Sequence, residues 1–200
     1  QNLIKNGTLS NEDIDLISEN YNDLCELYNI TELEVAVRSS ALAEDLPNAS
    51  FAGQQDTYLN VRGKENLISS VKSCFASLFN ARAISYRKTH NIHINDVKIS
   101  VAIQKMVRSD KGSAGVAFSI DPETGFNKAI VVNSSYGLGE LVVSGGVKPD
   151  EIILDKRVLK YIDGDPILSK NMGNKETKII YDDNDGVKEI NTTKHEKNSY

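Results

Sequence analysis

The most informative stretch of this sequence covers residues 35–61 and reads VAVRSSALAEDLPNASFAGQQDTYLNV. A short apolar strand, predicted over Val35 to Val37, leads directly to Arg38. Arginine is always charged, and its planar fork of donors suits phosphate oxygens. The small residues that follow, Gly53 among them, let backbone N–H groups approach a phosphate closely. The stretch therefore predicts a phosphate-binding strand and loop.

Composition sets the broad class of the protein. The chain has 200 residues, of which 40% are hydrophobic, enough to bury a core in one large domain or two modest ones. A net charge of −5 argues against a nucleic-acid surface, which needs clustered lysine and arginine. Because we find neither an apolar stretch of membrane length nor a signal peptide, we predict no membrane contact and a cytoplasmic location.

The cysteines and histidines do not form a recognisable metal or disulfide pattern. Cys25 and Cys74 lie far apart without a CxxC spacing, which favours buried, reduced thiols over a disulfide. His90 and His93 have no nearby carboxylate or cysteine cluster to complete a zinc site. We interpret both histidines as loop residues and predict no metal ligand.

Two helices are predicted in the first half of the chain. Residues Ser10 to Tyr28 have a capping serine, acidic residues in the first turn and apolar residues on one face. Residues Lys64 to Lys88 also carry apolar side chains at three- and four-residue spacings. The second pattern predicts one long helix that crosses a domain.

The clearest predicted strand covers Asp96 to Val107, where apolar and polar residues alternate. At Gln104 the alternation stops and a polar turn follows, so we place a domain boundary there. Strands at Ala114 to Ile120 and Ala129 to Asn133 are predicted to form an antiparallel pair. Three further elements are predicted from shorter patterns: a strand at Glu151 to Asp155, a strand at Val158 to Ile162, and a hairpin of Lys178 to Tyr181 with Val187 to Ile190.

Two blocks of the chain, residues 35–61 and 99–154, resemble a known family along their length. The first block carries Val37-Arg-Ser-Ser-Ala41, Ala43-Glu-Asp-Leu-Pro47 and Ser50-Phe-Ala-Gly-Gln-Gln55. It resembles the nucleotide-binding domain of dikinases related to phosphoenolpyruvate synthase, which also occurs in pyruvate phosphate dikinase and rifamycin phosphotransferase. The second block is most similar to the phosphoenolpyruvate synthase branch, through Met106-Val-Arg-Ser-Asp110, Ser135-Tyr-Gly-Leu-Gly-Glu140 and Lys148-Pro-Asp-Glu151.

The resemblance implies an ATP-grasp fold of the α+β class, in which two α+β lobes hold ATP between their sheets. We expect residues 1–104 in the first lobe and residues 105–200 in the second. It also implies a kinase reaction of pyruvate metabolism and gluconeogenesis. In that reaction ATP, with Mg²⁺, loses its β-phosphoryl group to a histidine, giving AMP and phosphate, and the phosphohistidine converts pyruvate to phosphoenolpyruvate. The implied partners are ATP, pyruvate and a phosphohistidine domain.

The resemblance assigns phosphate contacts in the first block. Arg38 is carried over as the catalytic residue that contacts the ATP phosphates. Gly53 and Thr57 are carried over to the loop that closes over these phosphates. Positioning and charge neutralisation are the main requirements of phosphoryl transfer, so these residue types suit the role.

The second block is assigned the adenine contact. Gln104 is carried over to the hinge, where backbone groups of Lys105 to Val107 meet the edge of the base and Met106 packs on its face. Glu140 is carried over as a polar contact to the nucleotide or to magnesium. Mg²⁺ is normally held by one or two carboxylates together with phosphate oxygens.

Parts of the family pattern have no match in these 200 residues. We find no glycine-rich segment with an ATP-binding lysine ahead of Asn11, and after Asn171 we find neither the metal-binding glutamate nor the Gln-(Ser/Ala)-Arg-Pro motif. We therefore expect an incomplete ATP-grasp domain that is inactive alone and binds ATP weakly or not at all. The alternatives are an ATP-binding domain of rifamycin phosphotransferase and a non-catalytic binding module derived from the ATP-grasp fold.

Overall fold

The structure, a computed structural model, describes residues 1–41, 45–46, 49–50, 56–160 and 164–200. These residues form two units. The first comprises Gln1–Met106 with Asn184–Gly186, and the second comprises Val107–Asp183 with Val187–Tyr200. Both combine helices with antiparallel sheets, which confirms a mixed α and β architecture. The predicted division into ATP-grasp lobes after Gln104 stays a prediction.

The first unit is a three-stranded sheet with helices. Its sheet has the strand order β4-β1-β5, and both strand pairs are antiparallel. The elements of this unit are helices α1 (Asn2–Lys5), α2 (Asn11–Leu27), α3 (Lys64–Ser77) and α4 (Ala81–Thr89), and strands β1 (Val35–Ala41), β2 (Asp45–Leu46), β3 (Ala49–Ser50), β4 (Thr57–Val61) and β5 (Ile99–Lys105).

Helix α2 confirms the predicted helix from Ser10 to Tyr28. Ser10 is its N-cap, and the Ser10 hydroxyl oxygen accepts the Asp13 N–H at 3.1 Å. Glu12 and Asp13 lie in the first turn, where negative charge is favourable.

The predicted single helix from Lys64 to Lys88 is wrong, because the chain forms two helices there. Helix α3 ends at Ser77 and helix α4 begins at Ala81. The Asn80 side chain accepts the Ala83 N–H at 2.7 Å and caps the second helix. An asparagine that satisfies a backbone donor in this way starts a new helix and does not extend the previous one.

The core of the first unit lies between β1 and the helices α2 and α3. It contains apolar side chains and both cysteines, and its buried members are Tyr21, Cys25, Leu33, Val35, Val37, Val61, Leu67, Val71 and Cys74. Cys25 and Cys74 are buried and free, as predicted.

The second unit is organised around a four-stranded antiparallel sheet with the strand order β6-β7-β8-β9. A two-stranded hairpin, β10-β11, accompanies it. The elements of this unit are strands β6 (Ser113–Phe118), β7 (Ala129–Tyr136), β8 (Asp150–Asp155), β9 (Ile167–Asn171), β10 (Thr177–Tyr181) and β11 (Val187–Asn191), and helices α5 (Glu140–Ser144) and α6 (Lys194–Lys197).

Most of the strand predictions for this unit are confirmed, including the pairing of β6 with β7 and the β10-β11 hairpin. The predicted strand from Val158 to Ile162 is wrong, because Val158–Lys160 forms a 3-10 helix. The fourth strand of the sheet is β9, which the sequence patterns did not indicate. Its side chains are mostly polar and exposed, so they lack the apolar alternation of a half-buried strand.

Candidate functional site

Arg38 lies in the middle of the central strand of the first sheet. Val35 and Val37 face the core and are fully buried, whereas Arg38 is exposed on the opposite face of β1. Its direct neighbours across the ladder are Thr57 on β4 and Ala102 on β5. Side chains at such opposed positions lie on the same face with Cβ atoms about 4.5–5.5 Å apart. The sheet register therefore brings Arg38 and Thr57 together.

Gln104 lies on the same face of this sheet. It is opposite Ala36, two residues along β5 from Ala102, and is thus a diagonal neighbour of Arg38. Gln104 is exposed, as is Thr57. The positions opposite Gln104 and Arg38 carry Ala36, which is buried, and Ala102, which is exposed. Three of the predicted site residues are therefore on one face of one sheet, far apart in sequence but adjacent in register.

The loop that contains Gly53 lies outside the described residues. Its last flanking residue, Asp56, is fixed by the side chain of Ser39, whose hydroxyl donates to the Asp56 carbonyl at 3.1 Å. Asp56 also forms an ion pair with Arg82 at 3.3 Å. These contacts hold the start of β4, and with it Thr57, against the central strand.

On the core side of β1, the residue behind Arg38 is in contact with the thiol of Cys74. The Cys74 thiol donates to the Val37 carbonyl at 3.5 Å. Burial, with a smaller contribution from Asp56, raises the pKa of Cys74 to about 12, so the thiol is neutral at pH 7.

Strand β5 is an edge strand of the sheet formed by the described residues. Directly after it, the Met106 N–H donates to the Glu34 carbonyl at 2.9 Å. Hydrogen-bonded and non-hydrogen-bonded pairs alternate along an antiparallel ladder, so the next pair, Lys105 with Val35, is not hydrogen-bonded. The N–H and C=O groups of Lys105 therefore point away from β1, toward the outer edge of the sheet.

The side chains of the predicted hinge differ in exposure. Met106, predicted to pack on the adenine face, is only 7% exposed, whereas Val107 is 79% exposed. The ammonium of Lys105 lies 3.7 Å from the centre of the Tyr28 ring, in a cation–π contact. Val107 is thus the apolar side chain of the hinge that is accessible in this structure.

The Val107 carbonyl is already engaged by two donors. It accepts the Ser109 N–H at 2.7 Å and the Tyr181 hydroxyl at 3.1 Å. Because a carbonyl oxygen has two lone pairs, little acceptor capacity remains for a base at this oxygen. The outward carbonyl of Lys105 is the better acceptor.

Glu140 is exposed and is the first residue of helix α5 in the second unit. The turn before it depends on Gly137, which has φ of +81° and whose N–H donates to the Gly112 carbonyl at 3.0 Å. A Cβ atom at Gly137 would lie 2.5 Å from the Ile179 carbonyl oxygen. This glycine lets the turn approach strand β10 closely, so the SYGLGE motif has a structural role in presenting Glu140.

Sequence reasoning missed the contribution of Tyr181 to the hinge. Arg108 and Asp110 belong to the quoted Met-Val-Arg-Ser-Asp motif, yet no role was assigned to either. The lysine–aspartate pair of Lys175 and Asp150 was also missed, although Asp150 belongs to the quoted Lys-Pro-Asp-Glu motif. Tyr181 lies 74 residues from Val107 and Lys175 lies 25 residues from Asp150, so no local pattern identifies these partners, whereas Arg108 and Asp110 are only two residues apart.

Comparison with known proteins decides the family. Residues 1–200 match the family described as "Pyruvate phosphate dikinase, AMP/ATP-binding domain". The chain belongs to this family. The match extends over both ends of the chain, where the resemblance of the two sequence blocks was weak.

Several curated relatives carry the name "Phosphoenolpyruvate synthase". The protein of Helicobacter pylori is 51% identical over 189 residues, which are 93% of this chain and 23% of the relative. That of Aquifex aeolicus is 49% identical over 200 residues, 99% of this chain and 23% of the relative. That of a Synechocystis strain is 53% identical over 171 residues, 83% of this chain and 21% of the relative.

The chain therefore spans less than a quarter of the length of these relatives. Among the described residues, no helix is both long and apolar enough to cross a membrane.

Proposed function

We propose that this chain is the ATP-binding part of a phosphoenolpyruvate synthase and has an ATP-grasp fold. In the complete enzyme, ATP, water and a histidine would give AMP, phosphate and a phosphohistidine that carries the former β-phosphoryl group. The phosphohistidine would then phosphorylate pyruvate. The observation that carries the proposal is the sheet register that places Arg38 opposite Thr57 and diagonal to Gln104, in a chain about half identical to several phosphoenolpyruvate synthases.

The phosphate end of ATP is assigned to the exposed face of the first sheet. Arg38 neutralises charge on the phosphate oxygens through donors held on a central strand, where the backbone is fixed by neighbours on both sides. Thr57 contributes a hydroxyl at the point where the loop containing Gly53 rejoins the sheet. Backbone N–H groups of that loop would supply further donors.

The adenine end of ATP is assigned to the edge of strand β5. The carbonyl of Lys105 faces outward and suits the amino group of the base, and the Val107 N–H suits a ring nitrogen. Val107 offers an exposed apolar side chain to the face of the ring. Gln104 lies between the two ends, on the same face as Arg38.

Magnesium enters the proposal through the nucleotide. Among the described residues, no group of three or more metal-ligating side chains lies together. Mg²⁺ is usually held by phosphate oxygens with one or two carboxylates, and Glu140 is an exposed carboxylate available for that role. Bound Mg²⁺ would neutralise phosphate charge.

Titration of the chain with Mg·ATP, followed by NMR because weak binding is expected, tests the nucleotide site. Arg38→Ala should weaken ATP binding about 10- to 100-fold, the range for hydrogen bonds to a charged group. Lys88→Ala, which removes an exposed positive charge of α4 in the same unit, is the matched control and should bind as the parent does. Equal affinities of the parent and Arg38→Ala would overturn the phosphate assignment.

A chimera tests the reaction. Residues 1–200 replace the matching segment of the Aquifex aeolicus phosphoenolpyruvate synthase, to which they align over 99% of this chain. We expect formation of AMP and phosphoenolpyruvate from ATP and pyruvate, abolished by Arg38→Ala. A folded chimera that binds ATP but forms no AMP would favour a binding module without catalysis. The isolated chain should form no phosphoenolpyruvate, because it spans less than a quarter of the relatives.

A further inference from the structure

The residues that follow the hinge form a cluster in the second unit. The Arg108 guanidinium donates two hydrogen bonds to the Asp110 carboxylate, at 2.8 and 2.7 Å. Its central carbon lies 4.7 Å from the centre of the Tyr181 ring. Arg108 is therefore held by a fork of hydrogen bonds on one side and an aromatic face on the other.

Tyr181 connects this cluster to the hinge. It is buried, and its hydroxyl donates to the Val107 carbonyl at 3.1 Å. The same carbonyl accepts the Ser109 N–H at 2.7 Å, within a turn whose side chains belong to the cluster. The Val107 peptide is thus fixed by two donors while its side chain remains 79% exposed.

Exposure of an apolar side chain on an anchored backbone suits a ligand contact. Burial of a valine side chain on binding is favourable by about 25 cal/mol per Å² of apolar surface removed from water. A backbone that is already fixed loses little conformational entropy when the ligand binds. The arrangement has the properties of a preorganised contact for a flat, apolar ring with a polar edge.

We propose that Tyr181, Arg108 and Asp110 are positioning residues that hold the Val107 peptide in the orientation that accepts the adenine ring. This inference rests on the proposed function, since it assumes that the hinge binds a nucleotide base. None of the three side chains needs to touch ATP. They act through Val107, by occupying its carbonyl and so fixing the orientation of its peptide and side chain.

The ionisation of Asp110 is consistent with this arrangement. The hydrogen bonds from Arg108 hold the pKa of Asp110 below its usual value, although partial burial opposes this. The carboxylate is therefore charged at neutral pH, and the Arg108 fork is maintained across the physiological range.

The test compares two ligands for Tyr181→Phe, which removes the hydroxyl donor and keeps the ring beneath Arg108. Tripolyphosphate carries the phosphate chemistry of ATP without a base. Loss of one neutral hydrogen bond predicts about a fivefold weaker binding of Mg·ATP, with unchanged binding of Mg·tripolyphosphate. NMR titration measures both affinities and also reports the Val107 amide signal, which should shift on addition of ATP but not of tripolyphosphate.

Tyr136→Phe is the matched control, because the Tyr136 hydroxyl makes a hydrogen bond of 2.7 Å to Ser199 in the same unit. It should bind both ligands as the parent does. Arg108→Lys, which keeps the charge but loses the fork, should weaken ATP binding in the same selective way as Tyr181→Phe.

The outcomes separate the two proposals. If the parent binds neither ligand, in the isolated chain or in the chimera, the proposed function fails. If the parent binds both but Tyr181→Phe is unchanged, or weakens for both ligands equally, the positioning role is wrong and the nucleotide site stands.

Discussion

In the first unit the fully buried side chains include Val35, Val37 and Leu67, whereas in the second the largest fully buried side chain is that of Lys175. The Lys175 ammonium lies 2.5 and 2.7 Å from the two carboxylate oxygens of Asp150, and donates to the Ser199 carbonyl at 2.7 Å. The first unit thus has an apolar centre, whereas the second buries an ion pair in addition to apolar side chains such as Val131 and Ile179.

The pKa shifts of ionisable groups also have different causes in the two units. In the first unit, burial raises the pKa of Tyr21 to about 12 and that of Cys74 to about 12, so folding keeps both groups neutral. In the second unit, partners of opposite charge lower the pKa of carboxylates such as Asp155, which receives hydrogen bonds from Arg157. Burial thus keeps Tyr21 and Cys74 neutral in the first unit, whereas the carboxylates of the second unit are held ionised by their partners.

The largest expected effect concerns the buried pair of the second unit. Lys175→Met leaves Asp150 as an uncompensated buried carboxylate and should lower the free energy of unfolding by about 3–5 kcal/mol. Hydrogen exchange followed by mass spectrometry, resolved by peptide, should show faster exchange in the second unit.

Two further variants test that expectation. Lys128→Met, at an exposed lysine of the same unit, should change stability by less than about 0.5 kcal/mol. The double change of Lys175→Met with Asp150→Leu should recover part of the loss, because an apolar pair replaces the charges. If Lys175→Met alone is as stable as the parent, the buried ion pair does not stabilise the second unit.

The corresponding change in the first unit is Leu67→Ala. Leu67 is fully buried between the strands and helices, and its truncation should cost about 2–5 kcal/mol through lost apolar burial and the cavity left behind. Peptide-resolved hydrogen exchange should now report the first unit. Leu16→Ala, at an exposed leucine of α2, is the control and should be nearly neutral.

The two units should lose stability at opposite ends of the pH range. Tyr21 and Cys74 have raised pKa values in the fold, so their contribution to the stability of the first unit is complete below their usual pKa and is lost as the pH rises toward 12.

In the second unit, burial of Glu196 opposes its ionisation, but hydrogen bonds from Lys178 and Thr193 outweigh this effect and lower its pKa.

The carboxylates of the second unit, Glu196 and Asp110, have lowered pKa values, so their contribution is present above about pH 4 and is lost as the pH falls below it. Methyl NMR signals of each unit, followed from acid to alkaline pH, measure both limits. If both units unfold at the same pH, the expected difference in their pH dependence is wrong.

The smallest expected effect concerns the N-cap of helix α4 in the first unit. Asn80→Ala removes the cap of α4 and should cost about 1 kcal/mol, with faster amide exchange over Ala81–Thr89. Asn22→Ala, at an exposed position inside α2, is the control and should not destabilise the unit. If α4 exchange is unchanged, Asn80 does not determine where that helix begins.

Several features of the fold could be predicted because their cause is local. Helix α2 follows from a serine cap and one apolar face, and the β10-β11 hairpin follows from two short strands around a polar turn. Periodicity alone could not show the break between Ser77 and Ala81, because the apolar spacing continues through it. The break is made by Asn80, which caps the second helix. Strand β9 was not predicted, because its apolar residues Ile167 and Leu168 are adjacent and do not alternate with polar ones. Its strand conformation is stabilised by pairing with β8.

The sequence by itself determined the family, through motifs in which residue type and spacing are retained, and it singled out Arg38, Thr57 and Gln104 as candidates. Only the tertiary structure decided that these three share one face of a sheet, because cross-strand register depends on pairing between distant segments. It also decided that the Val107 carbonyl is engaged by Tyr181, 74 residues away, and that the Lys105 carbonyl faces outward. Backbone direction and long-range hydrogen bonds have no local sequence pattern, since they arise when separate strands meet.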